Sequence, residues 1–158
     1  MQKVAILLLI LNLAFYVETA SDSLKDTFGS KFKMGTCVSP GELNTGAAFI
    51  KKHFNSITPE NELKPDAIIN QQAFQQKGNN VNTQVVFNSG TKAILKFCQD
   101  NGIALRGHTF VWYSQTPDWF FRENFQNYGN YVNKNVMNQR LESLIKNTFA
   151  LIAKIIQN

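Results

Sequence analysis

The sequence predicts an α/β fold with parallel strands, and three observations predict it. Strand-like and helix-like segments alternate in the order β-α-β-α-β-α, which implies parallel strands joined by right-handed crossovers. Residues 103–112 form a nearly continuous apolar run, the pattern of a strand buried on both faces. The longest helical candidate, near the C-terminus, carries a strong apolar stripe at helical spacing. Doubly wound sheets and (β/α)8 barrels share this local order. No Gly-x-Gly-x-x-Gly follows the first strand, so a dinucleotide fold has no support.

In chain order, Met1-Gln2-Lys3 supplies a positive start, residues 4–17 are apolar except Asn12, and Glu18-Thr19-Ala20-Ser21 ends in small residues. That is the layout of a signal peptide over residues 1–20, with a secreted domain over 21–158. The apolar run is shorter than the roughly 20 residues a membrane-spanning helix needs. Residues 33–39 read as a strand stopped by Pro40-Gly41, and Asn44 as the cap of a helix over 45–53. Residues 56–59 form a short strand, and the Gln- and Asn-rich stretch 70–88 reads as a loop. Ser89 caps a helix over 91–101 in which Ala93, Ile94, Phe97 and Cys98 share a face. Gly102 ends that helix in a left-handed turn, and the strand over 103–112 follows. An aromatic loop runs from Pro117 to Tyr131, and a last helix begins near Val136, its stripe built from Met137, Leu141, Leu144, Ile145, Thr148, Ile152 and Ile155.

The 158 residues suit one domain, and the formal charge is +5. The lysines are scattered, with no run beyond Lys51-Lys52, so no basic patch points to nucleic acid. Cys37 and Cys98 lie far apart in sequence, and two buried free thiols are expected rather than a bridge. The sequence holds no His-Glu-x-x-His, Cys-x-x-Cys, Gly-x-Ser-x-Gly or phosphate-binding loop. No metal or cofactor is expected.

Two segments carry the candidate chemistry, each where a strand should end and hence on the active face of a parallel α/β fold. The first is Glu60-Asn61-Glu62-Leu63-Lys64. A surface ion pair between Glu60 and Lys64 at i, i+4 is the plain expectation. The functional alternative is a grip on hydroxyls, since Lys donates, Glu accepts and Asn does both. The second is Arg106-Gly107-His108-Thr109-Phe110-Val111-Trp112-Tyr113-Ser114-Gln115. On a regular strand His108, Phe110 and Trp112 would share one face. With Gln115 beside them they would make a flat apolar wall edged by hydrogen-bonding groups, which suits a pyranose ring. Trp119, Phe120 and Phe121 are expected to form an aromatic lid over the rim.

Glu60-Asn61-x-x-Lys64, joined to Arg106-Gly107-His108-Thr109-Phe110-Val111-Trp112 with Ser114-Gln115-Thr116-Pro117-Asp118-Trp119, and to Met137-Asn138-Gln139-Arg140-Leu141-Glu142, closely resembles the N-terminal part of glycoside hydrolase family 10, the secreted endo-1,4-β-xylanases. The resemblance runs from about residue 24 to about residue 154. It implies the first three or so βα units of a (β/α)8 barrel, truncated before strand four, and an enzyme that needs no cofactor. By resemblance, Glu60, Asn61 and Lys64 would bind a xylose on the non-reducing side of the cleavage point. His108 and Gln115 would hold the sugar beside the scissile bond, with Trp112 packing on it. Side chains crowded there would leave no room for the hydroxymethyl arm of glucose. One position departs from the pattern: Tyr113 stands where the family commonly has His. Family members are retaining enzymes with two glutamates, at the ends of strands four and seven, and neither is expected within this sequence. The resemblance therefore implies a xylan-binding, inactive fragment, monomeric in the full-length family but prone to aggregate alone. A non-catalytic secreted carbohydrate-binding protein is the alternative.

Overall fold

A computed structural model of the chain describes residues 23–157. The expected signal peptide lies outside the described residues. Helix α1 (Leu24–Phe28) opens the structure and is tied down by Ser23 Oγ donating to Lys52 O at 2.5 Å and Lys25 Nζ to Lys51 O at 2.6 Å. Strand β1 (Gly35–Val38) follows. The single helix expected over 45–53 is two: α2 (Pro40–Thr45) and α3 (Ala47–His53), divided at Gly46. Asn44 lies inside α2 and caps nothing. The stronger start signal is Ser39-Pro40, because proline is pre-set for the first helical turn and Glu42 Oε2 reaches back to accept from Ser39 N at 2.6 Å.

Strand β2 (Ser56–Pro59) matches its expected bounds. Two short helices come next, α4 (Pro65–Ile68) and α5 (Gln71–Gln76). The latter lies within the expected loop 70–88. Asn70 Oδ1 accepts from Ala73 N at 3.0 Å, and Phe74 anchors the turn by full burial, so one cap and one apolar side chain fold a segment with no apolar stripe. Helix α6 (Ser89–Asp100) is capped by Asn88, not Ser89, through Thr91 N to Asn88 Oδ1 at 2.8 Å. Gly102 ends it with φ +62, as expected. Strand β3 (Ala104–Leu105) leads to two 3₁₀ turns, Asp118–Phe121 and Glu123–Phe125, and to the long α7 (Lys134–Ile156), capped by Asn133.

The sheet is wholly parallel, in the order β1-β2-β3, with Cys37 opposite Thr58 and Ile57 opposite Leu105. β3 is much shorter than the expected 103–112. Among the described residues it pairs only with β2, whose ladder it leaves after Arg106 N donates to Ile57 O at 2.8 Å; the His108–Thr109 peptide just beyond is cis. The apolar residues past that point pack in different directions. Phe110 meets Phe149 of α7 at 6.0 Å between ring centroids, whereas Trp112 faces Lys64. His108, Phe110 and Trp112 therefore do not line one strand face.

Two apolar clusters hold the layers together. Val38, Ile50, Ile57, Ile94, Cys98 and Ile103 bury the sheet against α3 and α6. Leu63, Ile68, Phe74, Phe87, Leu95, Phe120, Phe125 and Leu144 join the loops above the sheet to α7. Phe120 is fully buried in this second cluster and Trp119 packs edge-on to Phe74 at 5.6 Å, so these rings are core, not a lid. Both cysteines are free, but Cys37 is exposed, contrary to expectation. Strand alternation turns it away from the cluster that its neighbour Val38 enters.

Candidate functional site

The segment after β2 does not wind into a helix between Glu60 and Lys64. Lys64 N closes a turn onto Asn61 O at 3.0 Å, and Lys64 has extended backbone just before Pro65, as a residue preceding proline prefers. The side chain consequently swings inward, leaving Lys64 only 9% exposed. Lys64 Nζ donates to Asn61 Oδ1 at 3.0 Å and to Gln115 Oε1 at 2.6 Å, and Gln115 Nε2 donates to Asn61 Oδ1 at 3.1 Å. The charge lies 5.0 Å from the centroid of the Trp112 ring, a cation–π distance. Trp112 and His108 stand 6.2 Å apart, tilted by 53°.

Five of the six expected residues thus converge: Asn61, Lys64, His108, Trp112 and Gln115. Glu60 stands at the edge. It is exposed, its backbone N donates to Val38 O at 2.9 Å, and the expected ion pair with Lys64 is absent among the described residues. Its carboxylate is felt instead at the Cys37 thiol, which is exposed but loses part of its hydration to its neighbours; that partial desolvation raises its pKa first, and Glu60 and Glu42 raise it further. Lys64 acts on the same thiol in the opposite sense, so Glu60 and Lys64 flank Cys37 without pairing.

The support for this cluster was not legible in the sequence. Thr116 Oγ1 donates to Trp112 O at 2.6 Å and accepts from Trp112 N at 3.0 Å, closing the turn that carries the indole. Gln115 adopts φ 39, and its carbonyl accepts from Asp66 N at 3.1 Å, which fastens the β3 loop to α4. Glu62 Oε2 accepts from Asn61 N at 3.1 Å, and Glu62 O accepts from Thr91 Oγ1 at 2.9 Å, so the start of α6 braces the first segment. Gly90 lets α6 lie close to α2 instead: a Cβ there would stand 2.8 Å from Pro40 Cγ. Farther out, Arg140 is fully buried beneath the aromatic loop. It donates to Asn80 O and Phe120 O, both at 2.5 Å, and lies 3.9 Å from the centroid of Phe125. Burial pulls its guanidinium down to about 10. At the loop surface Arg122 stacks on Tyr131 and pairs with Asp118, holding that carboxyl below its usual range.

Chemically, the cluster offers one donor-rich cation, two amides with donor and acceptor ends, and an indole beside an imidazole. Such a set recognises a ligand with adjacent hydroxyls and a flat apolar face.

Comparisons with known proteins agree with this architecture. The model of glycosyl hydrolase family 10 matches residues 23–158. The bifunctional endo-1,4-beta-xylanase XylA of Ruminococcus flavefaciens is 69% identical over 133 residues, covering 84% of this chain and 14% of the relative. Endo-1,4-beta-xylanase Y of Acetivibrio thermocellus is 48% identical over 140 residues, covering 87% of this chain and 12% of the relative. Among solved structures, the N-terminal CBM22-1–GH10 modules of a Clostridium thermocellum endo-1,4-beta-D-xylanase, complexed with xylohexaose, superpose with a TM-score of 0.72 at 50% identity. That match covers 82% of this chain and 25% of the other, so the chain spans a small part of its relatives. Its three βα units form an N-terminal part of a (β/α)8 barrel. On the family match and these identities together, the chain belongs to glycosyl hydrolase family 10.

Proposed function

We propose that this chain is the sugar-holding part of an endo-1,4-β-xylanase cleft. The observation that carries the reading is the closed triangle of Lys64, Asn61 and Gln115 beside the Trp112 ring. Asn61, Lys64 and Glu60 grip the hydroxyls of one xylose. Gln115 and His108 hold the ring next to the bond to be broken, and Trp112 supplies the flat surface. The relatives named above as xylanases, one of them complexed with xylohexaose, support this choice of sugar.

The parent enzyme hydrolyses internal xylosidic bonds with retention. One carboxylic acid protonates the leaving oxygen and a second attacks the anomeric carbon, the two standing about 5–5.5 Å apart. Both acids lie outside residues 1–158, so this chain binds xylan without cutting it. The protein is exported, residues 1–20 acting as the signal peptide. The test pairs two assays on the purified chain. Co-sedimentation with insoluble xylan should retain it, while soluble xylan should yield no new reducing ends. Release of xylo-oligosaccharides would overturn the assignment of the acids, and failure to sediment would overturn the sugar site.

A further inference from the structure

We propose that Tyr113 adds a second aromatic face to the wall and seats one more β-linked xylose ring than Trp112 alone; this rests on the sugar-binding reading above. Tyr113 is 94% exposed, although it follows the half-buried Trp112 directly in the chain. Its ring meets that of Trp112 at 5.2 Å between centroids and 72° between planes. The two rings therefore form a near right-angled corner. The corner is firm on one side, because Thr116 bonds both backbone groups of Trp112 and Lys64 covers the indole.

That same cation takes up part of the indole surface. The largest free aromatic area at the site is consequently on Tyr113. A pyranose laid on it would cover apolar C–H and ring surface together, with the Trp112 edge behind it. The phenolic hydroxyl offers one donor and two acceptor positions to a sugar hydroxyl at its rim. Among the described residues, the other exposed tyrosines lie outside the Lys64–Trp112 cluster. Tyr131, for example, already carries Arg122 on its face and bonds Asp118 through its hydroxyl at 3.1 Å.

The test is calorimetric titration of the full chain with xylohexaose, comparing the unaltered protein with Tyr113→Ala and Tyr113→Phe. An exposed ring can be removed without cost to folding. Loss of a stacked face should weaken binding about fivefold in Tyr113→Ala, while Tyr113→Phe should stay within about twofold. Parent-like affinity in Tyr113→Ala would overturn this inference and leave the sugar site standing. Absence of xylohexaose binding by the unaltered chain would remove both.

Discussion

Lys64 keeps its ammonium in place with two amide oxygens and an indole face, an arrangement suited to handing hydrogen bonds to an incoming polyol. Substitution Lys64→Met keeps the stem but removes every donor. It should lower affinity for xylohexaose at least about tenfold, since hydrogen bonds from a charged donor contribute about 1.5–3 kcal/mol, as read by affinity electrophoresis in xylan gels. Thr116→Val tests the support beneath. It preserves shape but strips both bonds to the Trp112 backbone, and should cost about 1 kcal/mol in urea unfolding. The identities of Asn61, Lys64, Trp112 and Gln115 were readable because polar and aromatic residues sat together after strand-like runs. The inward swing of Lys64 was not, because i, i+4 spacing suggested a helical ion pair and the effect of Pro65 on the preceding backbone decided otherwise.

Among the elements, α6 and α7 carry the groups whose titration and burial matter most. Cys98 on α6 is 5% exposed, and burial pushes its thiol up from about 9 to about 11. An unfolded chain gives up that proton earlier, so the contribution is fully present below pH 9 and fades as pH rises towards 11. Stability should fall by about 2 kcal/mol across that window, and Cys98→Ala should flatten the slope in denaturant melts taken at stepped pH. On α7, Arg140→Ala would leave Asn80 O and Phe120 O without their donor in the core. A loss of about 3 kcal/mol is expected from thermal or urea unfolding. The sequence marked α7 by its apolar stripe, yet it hid α5. Asn70 and Phe74 fold that helix through one cap and one long-range burial, and neither leaves a periodic signal.

Across the whole molecule, three parallel βα units bring Lys64 and Gln115, 51 positions apart, to 2.6 Å. The parallel order was legible from alternation of segments. The length of β3 was not: the chain leaves β2 after Leu105 although β2 itself continues to Pro59, and an apolar run does not show where a ladder ends. Beside β3, a groove of about 340 Å³ lined by Leu105, Phe110, Phe149 and Ile152 stays open, with Phe149 59% exposed. An apolar opening of this kind promotes association. Light scattering should show mass rising with protein concentration, and Phe149→Glu should reduce that rise. Seating of a xylose chain by the cluster after β2 and β3 can be read from tryptophan fluorescence. In a Trp119→Phe background the emission reports Trp112 alone, since the chain has 2 tryptophans. Xylohexaose should change that emission saturably, and cellohexaose, with its added hydroxymethyl arms, should not. Unchanged emission with xylohexaose, or an equal response to both sugars, would contradict the account.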